Sequence, residues 1–179
     1  MARKPCVYYH RARATCQGAS LLELLTVLAL CAILATLAVP SDRQLAARQD
    51  IAAELTRLRA ALSLARSTAM TSRRPVTVCP KGEGTQCGAD WAGPLVIVEA
   101  RGDDGYLSAG RRVLRYFAES RAASVRFRQD AKPVRFLPSG RASGHNGTFD
   151  ICTRQGLAAS LVLSNFGRVR QSASAPACR

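Results

Sequence analysis

The chain has 179 residues and carries 26 Lys and Arg against 12 Asp and Glu, a formal net charge of +14. So basic a balance favours anionic partners such as nucleic acid, lipid headgroups or acidic polysaccharide; its plainer meaning is solubility at a high isoelectric point. No phosphate-binding loop or dinucleotide fingerprint occurs, and no His, Ser, Cys and Asp set forms a catalytic constellation, so no enzyme activity, cofactor or metal is expected.

The first residues hold Arg3, Lys4, Arg11 and Arg13 and no acid. A largely apolar run of 19 residues follows, 21–39, with Glu23 its only charged residue. As a helix it spans about 28 Å, close to the hydrocarbon thickness of a bilayer. The basic flank holds the N-terminus in the cytoplasm and sends the chain beyond Pro40 across the membrane. Three readings compete: a secretory signal peptide cut after a small residue such as Ala38, a passive anchor, and a short leader before a helix that stays in the product. Glu23 separates them. A carboxylate in an apolar run costs up to about 3 kcal/mol at mid-bilayer and less near an end, and neither a signal peptide nor an anchor has a use for it.

The sequence Gly18-Ala19-Ser20-Leu21-Leu22-Glu23 resembles the processing site of type IV pilins and pseudopilins. The resemblance implies that a prepilin peptidase cuts between Gly18 and Ala19 and methylates the new amine of Ala19. It implies that Glu23, fifth in the mature chain, meets that amine on a neighbouring subunit, and it places Pro40 at the family's proline, the twenty-second mature residue. Here Ala19 stands where the family usually has Phe. In a low-dielectric setting such an ion pair is favoured over either charge alone. Loss of residues 1–18 removes four of the 26 cations and no acid, leaving +10. About a hundred residues then remain for a head, enough for one small core.

Beyond Pro40 the pattern turns amphipathic. Ile51, Leu55, Leu58, Leu62, Ala65 and Ala69 share one helical face, with Arg48, Asp50, Glu54, Arg57, Arg59 and Arg66 largely off it. One helix is expected over 19–71, kinked at Pro40, its second half packed on a sheet. From Pro75 the period is two, and strands are predicted at 76–79, 95–99, 113–117, 125–127, 134–136, 148–152, 158–163 and 168–170, joined by turn-forming segments. The expected fold is α+β: a long N-terminal helix, partly transmembrane, on a small antiparallel β head. Its parts are a cleaved leader at 1–18, a membrane or filament-core helix at 19–40, an amphipathic continuation at 41–73 and the β head at 74–179. The Arg101-Gly102-Asp103 tripeptide matches an adhesion motif by chance, and Asp103-Asp104 lacks the further oxygen ligands calcium needs.

Of seven Cys, Cys6 and Cys16 go with the leader and Cys31 fills space in the apolar helix. Cys79, Cys87, Cys152 and Cys178 remain, an even number in an extracytoplasmic head, and allow three pairings. The expected bonds are Cys79 to Cys87, closing a Gly-rich loop, and Cys152 to Cys178, tying down the tail. Zinc is the rival, but no CxxC pair occurs and His10 and His145 are the only His.

Within the pilin resemblance, Ala65-Arg66-Ser67-Thr68-Ala69, Pro75-Val76-Thr77-Val78-Cys79-Pro80, the Cys-closed loop, Trp91 and Gly167-Arg168-Val169-Arg170 are similar to the GspH/FimT family. That family comprises minor pilins of type IV pili and the minor pseudopilin H of type II secretion. Some of its members carry a GRxR motif that binds DNA during natural transformation. On a strand, Arg168 and Arg170 share a face about 6.8 Å apart while Val169 points inward, and two guanidiniums can fork onto phosphates. Gly167 permits the tight turn before them. Arg126 and Arg128 repeat the spacing, and Arg135, Arg141 and Arg154 extend the candidate patch. Edge strands also carry charge merely to block pairing. Trp91 and Phe166 are candidate stacking residues, although a lone Trp is more often core. The expected product is an inner-membrane, single-pass subunit with a periplasmic head that joins other pilins in a filament and binds double-stranded DNA. The alternative is a structural type II secretion pseudopilin without nucleic-acid binding.

Overall fold

A computed structural model describes residues 20–84, 86–99, 112–127, 133–174 and 177–178, without the side chains of 35–42. Gly18, Ala19, Arg128, the Arg101-Gly102-Asp103 tripeptide and the Asp103-Asp104 pair lie outside the described residues, as does the side chain of Pro40. The chain divides into two units, one ending at Pro40 and one beginning at Ser41.

Helix α1 is assigned over Leu21–Ser72. Ser20 caps its start: the Ser20 hydroxyl accepts the Glu23 amide at 3.4 Å, and the acid in the first turn suits the positive end of the helix dipole. In the first unit the described apolar side chains, Leu21 to Leu34, are exposed. Among the described residues no helix is long and apolar enough to cross a membrane. At the other end Arg73 adopts a left-handed φ of 53°, and Pro75 two residues on cannot continue a helix.

The second unit carries eight strands: β1 (Val76–Pro80), β2 (Leu95–Glu99), β3 (Val113–Phe117), β4 (Ser124–Phe127), β5 (Val134–Phe136), β6 (Gly147–Cys152), β7 (Ala158–Leu163) and β8 (Val169–Gln171). They form two four-stranded antiparallel sheets, ordered β3-β2-β1-β5 and β4-β6-β7-β8. The chain passes from the first sheet to β4 and returns for β5 before completing the second. Strand periodicity alone gives no such division.

One core joins helix and sheets. Leu55, Leu58, Ala61, Leu62, Ala65 and Ala69 of α1 meet Val76, Val78, Leu95, Ile97, Val134 and Phe136 of the first sheet and Phe127, Phe149, Ile151, Leu161 and Leu163 of the second. Each fully buried Leu contributes roughly 1.5–3 kcal/mol through its apolar surface. Trp91 is 2% exposed and packs edge-on against Phe127 and Phe149, which stack on each other at 4.1 Å. It is a core residue, which leaves no room for base stacking there.

Glu54 corrects the expected polar face of the helix: it is 2% exposed. Its Oε2 accepts from Arg57 Nε at 2.9 Å. Arg57 also donates to the carbonyls of Trp91 (2.6 Å), Gly93 (3.2 Å) and Ala118 (2.9 Å). These acceptors belong to the turns entering β2 and leaving β3, whose carbonyls lack strand partners; one guanidinium satisfies three of them and pins the helix to the sheet. Both expected disulfides are present, Cys79–Cys87 and Cys152–Cys178, and Cys31 is free.

Candidate nucleic-acid interface

Directly opposed residues of an antiparallel pair project to the same side of the sheet. In the second sheet Arg170 faces Val162, which faces Thr148; Arg126 faces Asp150, which faces Ser160. These residues line the outer face, while Phe127, Phe149 and Leu161 line the core face. Gln171, one residue past Arg170, points the other way and accepts from Arg59 of the helix at 3.1 Å. Arg168 and Arg170 therefore share the outer face, both exposed, with Val169 half-buried between them. The strand itself begins at Val169, so Arg168 is the last residue of the turn.

That turn is fixed from below. The Ser164 amide donates to the Arg168 carbonyl across it at 2.9 Å, the Gly167 amide donates to the Ser164 carbonyl at 2.8 Å, and the Arg168 amide donates to the Ser164 hydroxyl at 3.2 Å. Gly167 has φ +73°. A Cβ there would collide with the carbonyl oxygen of Gly140, itself at φ +74°, and approach Phe136. Two glycine turns thus abut, and the Ala142 amide donates to Asn165 across the junction at 2.9 Å. The contact brings Arg141 over the ring of Phe166, 4.8 Å from its centroid.

Arg66 lies beneath both turns, its Nε about 3.2 Å from a Cβ built on Gly140 and 3.3 Å from one on Gly167. This Nε is buried without a hydrogen-bond partner. No carboxylate among the described residues pairs with Arg66, Arg126, Arg141, Arg168 or Arg170. The sequence reading set Arg66 aside as a polar-face residue; only the meeting of the two turns reveals its place.

The other predicted arginines scatter. Arg126 is on the same outer face, but on β4, the opposite edge from β8, about 14 Å away by strand spacing. Asp150 stands opposite it and accepts from Ser160 at 2.7 Å, so an acid sits beside that cation. Arg126 also lines a hollow of about 690 Å³ with Asp90 and Asp150. Arg135 is on β5, opposite Thr77 of the first sheet. Arg154 occupies the β6–β7 turn, at the far end of the strands from Phe166, and borders a hollow of about 360 Å³ with Asp50 and Arg121. Neither extends the patch around Arg168 and Arg170.

Glu23 is in the first turn of α1, and among the described residues no cation pairs with its carboxylate. His145 is tied to the Pro133 carbonyl at 2.7 Å. Among the described residues no three His, Cys, Asp or Glu side chains group to hold a metal.

Comparison with known proteins places this architecture. The fold is similar to two crystal structures of the type IV minor pilin FimU from Pseudomonas aeruginosa PAO1. For the first the TM-score is 0.56 at 25% identity, over 74% of this chain and 95% of that one. For the second it is 0.54 at 23% identity, over 71% and 96%. No curated protein sequence matches the chain. The family model described as type II transport protein GspH matches residues 54–167, from the buried Glu54 through both sheets to Gly167. The chain belongs to the GspH family and is a minor pilin or pseudopilin of that family.

Proposed function

We propose that the protein is a filament subunit whose head binds double-stranded DNA through the Arg168 and Arg170 face. In this reading a prepilin peptidase removes residues 1–18 between Gly18 and Ala19 and methylates Ala19. Residues 19–40 hold the subunit in the bacterial inner membrane, and the same apolar segment then exchanges lipid for the helical core of a filament. The likeness to a minor pilin supports that route. Glu23, with no partner in its own chain among the described residues, meets the methylated amine of a neighbouring copy and sets the register.

The observation that carries DNA binding is the pair of exposed arginines on one face, neither paired with a carboxylate among the described residues, at the end of a turn that only glycine can form. Guanidiniums so placed fork onto successive phosphates, giving contacts that are weakly sequence-specific and strongly salt-dependent. The test is the affinity of the full chain in detergent micelles for a labelled duplex across a salt series. Arg168→Ala with Arg170→Ala should weaken binding about tenfold or more and flatten the salt slope by about two phosphate contacts. Unchanged binding and slope would leave the edge-strand role, blocking of sheet pairing, as the reason for the two charges.

The second reading is a structural pseudopilin of type II secretion with no nucleic-acid binding. The acid beside Arg126 and the family description favour it. It predicts that the double variant still joins its filament and supports secretion unchanged.

A further inference from the structure

We infer that the paired turns around Phe166 form a base-stacking subsite for single-stranded DNA, set beside the phosphate-binding arginines. The inference rests on the nucleic-acid reading above and adds unpaired strands and frayed ends to the duplex as ligands. Of the five Phe in the chain, four are buried or half-buried, and Phe166 alone is mostly exposed, at 56%. It takes no part in the core. Its one ring contact among the described residues is with the Arg141 guanidinium.

The ring is held ready. Gly167 and Gly140 lock their turns together, and Arg141 lies 4.8 Å from the ring centroid. A ring positioned before binding loses little freedom when a base stacks on it. Leu137 and Met70, 38% and 43% exposed, belong to the same surroundings: Leu137 bonds across its turn to Arg141, and Met70 packs against Gly140. Cations surround this apolar patch, Arg141 over the ring, Arg66 beneath the turns and Arg168 two residues on, with no carboxylate paired to any of them among the described residues.

An apolar ring framed by unpaired cations fits a ligand that offers a flat π-face and an anionic backbone together. A duplex offers the second but hides its base faces inside the stack; an unpaired strand or a frayed end offers both. Every base has such a face, so the subsite tolerates any sequence.

The experiment compares a labelled oligothymidylate with a labelled duplex of equal length, using the full chain in detergent micelles. Phe166→Ala should weaken single-strand binding about tenfold and so lower the ratio of single-strand to duplex affinity. Phe166→Trp should restore the ratio, and the new indole should be quenched on binding, against the constant background of buried Trp91. An unchanged ratio in Phe166→Ala, or an unquenched indole, overturns the inference and assigns the patch to contacts between subunits. If duplex binding still depends on Arg168 and Arg170, the proposed function survives that result. If neither the arginine pair nor Phe166 affects either ligand, both readings fail.

Discussion

The two sheets have the same size and the same core beneath them, and their outer faces are opposites. In the first, Thr77, Cys79, Val96 and Val98 are buried on the side away from the helix, where Cys79, Val96 and Val98 form a small apolar cluster with Cys87 of the disulfide loop. In the second, the outer face presents Thr148, Asp150, Ser160, Arg126 and Arg170. Alternation of apolar and polar residues along a strand therefore describes β4 of the second sheet and most of β6, but not β7, and not the first sheet, where β1 and β2 are buried throughout. The first sheet is covered by a disulfide-closed loop, and the second leaves Arg126 and Arg170 exposed.

The largest effect should fall on the base that both sheets share. Arg57→Met leaves Glu54 buried without its cation and three carbonyls without a donor. Urea unfolding of the full chain should show a loss of about 3–5 kcal/mol. Adding Glu54→Leu should recover a large part, since the stranded charge is then gone. If the single variant is as stable as the parent, the clamp is not what holds the turns at β2 and β3 to the helix.

A smaller loss should separate the sheets. Cys79→Ser with Cys87→Ser opens a loop of eight-residue separation, worth about 2–3 kcal/mol on chain-entropy grounds. Duplex affinity should not change, because that loop covers the first sheet. A parallel drop in DNA binding would mean that the two outer faces act together and that the contrast drawn between them is wrong.

A further, more local effect sits at the turn that carries Arg168. Gly167→Ala must place a Cβ in the left-handed region and against the Gly140 carbonyl. The left-handed backbone alone costs about 1–2 kcal/mol and the collision adds to it, accompanied by weaker DNA binding as Arg141, Phe166 and Arg168 shift. Retained affinity with full destabilisation would reduce Gly167 to a packing residue.

Much of this was legible in the residues. The helix face from Leu55 to Ala69 follows from its three- and four-residue steps, and the eight strands appear where the period changes to two. Alternation turns Arg170 outward once Val169 points inward, whereas Arg168 lies in the turn before the strand. Glu54 and Arg57 were misread because periodicity weighs polarity alone; burial of a charge becomes tolerable only where another part of the chain supplies its partners. Arg135 and Arg154 fall away from the patch that their spacing suggests, because sequence shows cations and spacing but not which sheet or which end of a strand carries them.

By itself the sequence determined the element types and the outward turn of Arg170, because these depend on local period and side-chain chemistry; the family was legible as a resemblance, and the disulfide pairing was an expectation among three that the structure bears out. Tertiary structure alone decided the split into two sheets, the buried clamp at Arg57 and the abutment of Gly140 on Gly167 that gathers Arg66, Arg141 and Phe166. Those features arise from contacts between segments far apart in the chain, and no local pattern encodes where such segments will meet.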